Sequence, residues 1–176
     1  RTGTTSLQHL LDRNANQLGR DGVAVWTPRT LRGGLFSGMI RPPGDTSVAC
    51  ERSVAMIGLS LARLERKGVA RLIVSEENMM GPIRVNMQAG ALYPQAGARL
   101  ARFAAAFRVH CDTIVVTIRS YDTYWESCLA YTKAAGMPLR PLSIMAQAAT
   151  GPRGWRDVIR DLGAGFSDCD IKVAVC

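Results

Sequence analysis

Residues 113–122 read TIVVTIRSYD, a run in which a predicted strand passes directly into the start of a predicted helix. The first six residues are all β-branched, and such residues are enriched in strands. The helical pattern that follows continues from about Asp122 to Ala135 and stops at Gly136. A strand followed by a helix is the repeating unit of an α/β protein, so this run indicates that fold class.

The same alternation extends along the chain in both directions. Other short apolar runs are predicted strands, and the segments between them have helical periodicity. The further strands are predicted at 23–26, 72–74 and 171–176, and the further helices before the turn at 20–22 and at 46–67, 94–107 and 155–162. We therefore expect an α/β fold with a mainly parallel sheet flanked by helices.

Residues 27–45 interrupt this alternation. They are rich in glycine and proline and are predicted to form a long irregular loop. Arg29, Arg32 and Arg41 make the segment basic. Long loops within compact domains often carry function, so the segment is a candidate for a functional role.

The length and charge of the chain limit its organisation and its partners. With 176 residues we expect a single domain over residues 1–176. The formal net charge of +8 indicates anionic partners, although a solvated basic surface would carry the same charge. No run of Lys and Arg reaches five residues and no nucleic-acid-binding motif occurs, so we expect a small polyanion and no nucleic acid.

The cysteines and the apolar runs bear on location. The five cysteines are odd in number, scattered and without a C-x-x-C pair, which predicts neither a disulfide framework nor a zinc site. A reducing cytoplasm is the expectation that follows. No apolar run is long enough to span a bilayer, so we expect no stable membrane insertion.

The first eight residues, RTGTTSLQ, lead into the first helix, whose inward face is predicted from Leu7, Leu10, Leu11 and Leu18. Backbone N–H groups at a helix N-terminus are unpaired and attract anions. A glycine permits close approach of the backbone, and hydroxyl groups and an arginine add donors. The predicted phosphate cradle consists of Arg1, Thr2, Gly3, Thr4, Thr5 and Ser6. The alternative is an ordinary helix with a Thr or Ser cap.

A second candidate anion site follows the strand 113–118. Arg119 ends that strand, and Ser127 lies eight residues later in the next helix. An arginine at a strand end and a serine two turns into the following helix can converge on one phosphate, for which the guanidinium fork is well suited. The alternative is that Arg119 pairs with Asp122 or Glu126 on that helix.

The two motifs together resemble those of sulfotransferases that use 3′-phosphoadenosine 5′-phosphosulfate (PAPS). A Walker A loop would need a lysine after its last glycine, whereas here the basic residue Arg1 precedes Gly3. In the sulfotransferases a loop of the order [K/R]-[TS]-G-T-T holds the 5′-phosphosulfate. An arginine and a serine with the spacing R-x₇-S hold the 3′-phosphate. Ser6 is similar to the bacterial and glycan-modifying branches of that family, whose cytosolic members carry tryptophan there.

The resemblance implies a fold, a donor and roles for residues. It implies a P-loop NTPase-like three-layer architecture, PAPS as donor, a hydroxyl or amine acceptor on a small molecule or glycan, and no metal. Residues 1–6 would hold the 5′-phosphosulfate, with Arg1 neutralising charge on the bridging oxygen. Arg119 and Ser127 would hold the 3′-phosphate. Because Arg1 stands where the family usually has lysine, proton donation to the leaving group is not expected from it.

The resemblance also implies a base just past a strand, where residues 75–78 read SEEN. In the glycan-modifying branch a glutamate has this role, and here Glu77 is the preferred candidate, followed by Glu76. The alternative is an acidic pair at the start of a helix, where the dipole would stabilise it. His9 and His110, the only histidines, are not placed as a base.

Two other functions remain open from the sequence. One is a P-loop kinase or nucleotide hydrolase, which the missing lysine argues against. The other is a non-catalytic relative that binds a nucleotide. We also expect that a first strand and a C-terminal portion are missing, because Arg1 lies inside the predicted cradle and the strand 171–176 ends without a turn.

Overall fold

The computed structural model describes residues 4–41, 48–138, 146, 148 and 150–176. These residues form an α/β structure in two compact units, Gly3–Met79 and Met80–Cys176. The helices are α1 Thr4–Arg20, α2 Pro28–Thr30, α3 Val48–Arg66, α4 Ile83–Ala89, α5 Ala96–Phe107, α6 Tyr121–Ala134 and α7 Trp155–Gly165. The strands are β1 Val23–Trp26, β2 Arg71–Val74, β3 Thr113–Ile118 and β4 Asp170–Val175.

In the first unit β1 and β2 pair in parallel, with Trp26 opposite Val74 at their carboxyl ends. Parallel neighbours need a crossover connection, and α3 lies in the connection between them. This helix buries Ile57 and Leu61, as its apolar spacing predicts. The parallel pairing brings the residues that follow both strands to one edge of the sheet.

The inward face predicted for α1 is wrong at Leu7 and Leu10. Their side chains are 49 % and 59 % exposed, whereas Gln8 between them is only 7 % exposed. A buried amide needs hydrogen-bond partners. Gln8 has them at the end of β2, and those polar contacts, rather than the leucines, mark the inward side near the start of α1.

The irregular loop expected over 27–45 is instead largely helical where the structure describes it. After α2 the chain continues as a π-helical turn, Leu31–Leu35. Leu31, Phe36 and Met39 have no exposed surface, so apolar burial anchors the segment. Gly38 passes so close to the backbone of α3 that a Cβ there would collide with the Ala49 carbonyl group.

In the second unit β3 and β4 pair in parallel, from Thr113 opposite Asp170 to Ile118 opposite Val175. Within β3 only Val116 is fully buried, and Val115 is 65 % exposed. A parallel strand is fully covered when helices and neighbouring strands lie on all sides. The described sheet here has two strands.

The core of the second unit includes α4, a seven-residue helix that the sequence did not predict. Pro82 precedes it and the left-handed Gly90 ends it. Its buried Met87 joins a cluster contributed by three helices and the segment after α4. The members are Met87, Leu92, Tyr124, Trp125, Cys128, Trp155 and Val158.

The α/β class and the parallel strand pairing are confirmed. Gly68 and Gly136, which were expected to end α3 and α6, both have φ in the left-handed region that glycine tolerates best. The described strands form two two-stranded sheets rather than one sheet. The expectation of a single domain stays a prediction. Within the described ranges, no helix is both long and apolar enough to cross a bilayer.

Candidate functional site

The carboxyl ends of β1 and β2 form the edge at which open parallel sheets commonly bind ligands. The Ser75 amide donates to the Trp26 carbonyl oxygen at 2.9 Å, which extends the pairing one residue beyond β2. Glu76 and Glu77 come next, in the turn after the strand. The alternative that they start a helix is wrong, because the next helix, α4, begins only at Ile83.

Glu76 is a buried carboxylate whose oxygens are satisfied by an arginine that we did not predict. Its side chain has no exposed surface. Arg32 Nε donates a hydrogen bond to Oε2 at 2.9 Å and Nη2 donates one to Oε1 at 2.7 Å, which makes the ion pair bidentate. The Asn78 amide donates to Oε1 at 2.9 Å. These three donors offset the cost of burying the charge.

Glu77 shares the same arginine but remains accessible. Its side chain is 45 % exposed, and Arg32 Nη2 donates to its Oε1 at 2.6 Å. Gln8 Nε2 donates to the other oxygen, Oε2, at 3.0 Å. Each oxygen has one such donor, and a carboxylate oxygen can accept more than one hydrogen bond. Glu77 can therefore still receive a proton from a molecule at the surface.

The surroundings of Glu77 favour its ionised form. Partial burial raises the pKa of Glu77, but hydrogen bonds from Gln8, its own backbone and Arg32, together with the positive charge of Arg32, outweigh burial and hold the pKa below its ordinary value. The hydrogen bond to Glu76 raises the pKa of Arg32 above its already high value. At neutral pH the cationic Arg32 therefore lies beside an ionised, accessible Glu77.

Two further hydrogen bonds, besides that from Gln8 to Glu77, tie α1 to this edge of the sheet. Gln8 Nε2 also donates to Ser75 Oγ at 3.3 Å. One turn further on, Asp12 Oδ1 accepts from Thr27 Oγ1 at 2.8 Å, and Thr27 directly follows β1. The helix that begins with the candidate cradle residues is thus fixed against both strand ends.

The described part of the cradle lies in the first turn of α1. Thr4 is partly buried, and Thr5 and Ser6 are exposed. The first turn holds no acidic residue, so nothing there repels an anion. Arg1, Thr2 and Gly3 lie outside the described residues.

Arg119 and Ser127 both lie in the second unit. Arg119 directly follows β3, and Ser127 is a partly buried residue of α6. The alternative pairing is not found, since no ion pair joins Arg119 to Asp122 or Glu126 among the described side chains. Trp155 Nε1 donates to the Arg119 carbonyl oxygen at 2.7 Å and fixes the backbone there.

His9 and His110 are both exposed. In the described part of the chain, no group of three or more His, Cys, Asp and Glu side chains is arranged to hold a metal ion. Around the acidic pair, the first unit brings together the polar side chains of Gln8, Arg32, Ser75, Glu76 and Glu77.

Sequence reasoning missed Gln8 and Arg32. A signal for Arg32 is present, because a basic segment follows β1 and an acidic pair follows its parallel neighbour β2, so opposite charges meet at one edge. For Gln8 the sequence offers less, since the leucines on either side indicate a different inward face.

Comparisons with protein-family models, with curated proteins and with solved structures find no match for this chain. Any statement about its function therefore depends on its own residues and their geometry.

Proposed function

We propose that this protein is a sulfotransferase that moves a sulfuryl group from PAPS to a hydroxyl or amine acceptor. The observation that carries the proposal is the 3.0 Å hydrogen bond from Gln8 to Glu77. It connects the helix that begins with the cradle residues to an exposed carboxylate at the strand edge. An anion-binding helix start and a proton acceptor are two features that sulfuryl transfer needs, and a contact between them supports the proposal.

The donor contacts follow from the two motifs. Residues 1–6 hold the 5′-phosphosulfate through backbone amides, hydroxyl groups and the charge of Arg1. Arg119 and Ser127 hold the 3′-phosphate that distinguishes PAPS from ordinary adenine nucleotides. The sheet of such an enzyme would have the P-loop-like three-layer arrangement, and that architecture is part of the proposal.

The chemical step is an in-line displacement at sulfur. The acceptor oxygen or nitrogen forms a new bond to the sulfur, and the bond from sulfur to the phosphate oxygen breaks with its electron pair staying on that oxygen. The acceptor proton passes to a carboxylate of the protein. The products are a sulfated acceptor and adenosine 3′,5′-bisphosphate.

Glu77 is better suited than Glu76 to take that proton. The Glu76 carboxylate is fully buried and accepts three hydrogen bonds from Arg32 and Asn78. The Glu77 carboxylate is nearly half exposed. Its lowered pKa keeps it ionised, and therefore able to accept a proton. A group with a pKa nearer neutrality would be a stronger base.

Calorimetry with three nucleotides tests the donor. We expect adenosine 3′,5′-bisphosphate and PAPS to bind much more tightly than ATP, with or without magnesium. Equal affinity for ATP would contradict the proposal and favour a kinase or hydrolase, particularly if ATP is turned over. Tight binding of the bisphosphate without any sulfated product would favour a non-catalytic nucleotide-binding protein.

A further inference from the structure

One guanidinium serves both acidic side chains at the strand edge. Arg32 Nη2 lies 2.7 Å from Glu76 Oε1 and 2.6 Å from Glu77 Oε1. The arginine side chain is 40 % exposed, while Glu76 is fully buried and Glu77 is half exposed. Arg32 thus forms a bridge from the interior of the unit to the accessible carboxylate.

The two carboxylates could not keep this arrangement without a cation. Two carboxylates this close repel each other, and the positive charge of Arg32 between them offsets that repulsion. Glu76 anchors the guanidinium with two parallel hydrogen bonds, which fixes the plane of the fork. Arg32 Nη2 also donates to one oxygen of Glu77, and Gln8 donates to the other, so both oxygens are held.

We infer that Arg32 is a positioning residue for the proposed sulfuryl transfer, anchored by Glu76 and holding the Glu77 carboxylate in a single orientation as the proton acceptor. This inference rests on the proposed function. It assigns different roles to the two adjacent glutamates, since Glu76 acts through Arg32 and only Glu77 meets the acceptor. It also gives one arginine of the basic segment 27–45 a specific role.

A matched control lies in the same segment. Arg29 is an exposed arginine of α2, and its side chain has no ion pair or hydrogen bond in the ranges that the structure describes. Arg29→Ala and Arg32→Ala remove the same charge from the same basic segment. Arg32→Lys keeps the charge but loses the fork, and it replaces the alanine variant if circular dichroism shows that variant unfolded.

The first measurement is the kinetics of sulfate transfer from PAPS. We expect Arg32→Ala to lower kcat by about 10²-fold. Binding of adenosine 3′,5′-bisphosphate should be unchanged, because Arg32 is not among the donor contacts. Arg32→Lys should recover part of kcat, and Arg29→Ala should behave as wild type. A kcat for Arg32→Ala equal to that of Arg29→Ala would overturn the inference.

The second measurement does not depend on activity. Carbon-13 NMR of labelled glutamate side chains, with Glu77→Gln used for assignment, reports the pKa of Glu77. Among the described residues, the charged groups that face Glu77 are Arg32 and, across it, Glu76. Without Arg32, a hydrogen bond and a positive charge that favour the ionised form are lost, so we expect the Glu77 pKa to rise.

The two measurements separate the inference from the proposed function. Suppose that the wild type transfers no sulfate and that the Glu77 pKa rises in Arg32→Ala. The proposed function is then contradicted, but the interaction of Arg32 with Glu77 is supported. Wild-type transfer together with an unchanged Glu77 pKa in Arg32→Ala overturns the inference alone. A third outcome uses the dependence of kcat on pH. Sulfate transfer by the wild type, together with a loss of activity at low pH that begins at a higher pH in Arg32→Ala, supports both.

Discussion

Gln8 and Glu77 are 69 residues apart in the sequence, yet the Gln8 amide donates to the Glu77 carboxylate at 3.0 Å. The amide is buried in the first unit, and it also donates to Ser75 Oγ. One side chain therefore links the start of α1 to the residues that follow β2. The proposed function depends on this link more than on any other contact.

Gln8→Ala should weaken the fold and alter the carboxylate. Loss of the amide leaves one oxygen of Glu77 and the Ser75 hydroxyl without this donor, which should lower the free energy of unfolding by about 1–3 kcal/mol. It should also raise the Glu77 pKa. Urea denaturation measures the first effect. Gln17→Ala, on the exposed side of the same helix, is the control and should change stability little.

Glu77→Gln should separate chemistry from binding. The substitution keeps the shape and removes the proton acceptor, so we expect kcat to fall by about 10²-fold or more while adenosine 3′,5′-bisphosphate binds as before. Single-turnover transfer from PAPS measures the step directly. An unaffected rate would mean that the base lies elsewhere and that the acidic pair is structural.

Glu76→Gln should instead affect mainly stability. It breaks a pair between a fully buried carboxylate and an arginine that can still turn towards solvent. We expect a loss of about 1–3 kcal/mol in the free energy of unfolding, smaller than for a pair buried on both sides. The fall in kcat should be smaller than for Glu77→Gln, and the reverse order would exchange the roles of the two glutamates.

Arg119→Ala should reveal whether the second motif recognises a 3′-phosphate. A charge-assisted contact is lost, so binding of adenosine 3′,5′-bisphosphate should weaken by about 1.5–3 kcal/mol. Binding of adenosine 5′-monophosphate should hardly change. Calorimetry with both nucleotides measures the difference, and Arg108→Ala, at an exposed arginine of the same unit, is the control. Equal weakening for both nucleotides would make Arg119 a structural residue.

The thiol of Cys111 should be unreactive near neutral pH. Burial, reinforced by the neighbouring Cys169, raises the pKa of Cys111 to about 12. Its thiolate therefore becomes abundant only at strongly alkaline pH, well above the range where ordinary thiols ionise. Alkylation by iodoacetamide at pH 8, followed by peptide mass spectrometry, should modify the exposed Cys176 much faster than Cys111. Equal rates would contradict this expectation.

Much of the fold could be predicted because the local signals agree with one another. The β-branched run 113–118 forms β3 with the predicted bounds, and α6 begins within one residue of its predicted start. The apolar spacing of α3 and of α5 also identifies buried residues, among them Ile57, Leu100 and Phe103.

The errors arose where tertiary contacts override local pattern. At α1 the leucines indicate one face, but polar contacts at the end of β2 hold Gln8 inward. In the segment 27–41, glycine and proline indicate a loop, but the buried Leu31 and Phe36 fix helical turns. The position of the acidic pair after a strand was predicted correctly, whereas its cation comes from a distant segment, and only the parallel pairing of β1 with β2 indicates that the two meet.

The most direct test of the account is transfer of radiolabelled sulfate from PAPS by the intact chain, with carbohydrate, phenolic and lipid acceptors offered in parallel. We expect a labelled acceptor from at least one class, with one adenosine 3′,5′-bisphosphate released for each sulfate transferred. We also expect that Glu77→Gln abolishes most of that signal while Arg29→Ala does not. Absence of labelled product from every class, in a protein that turns over ATP instead, would contradict the proposed function.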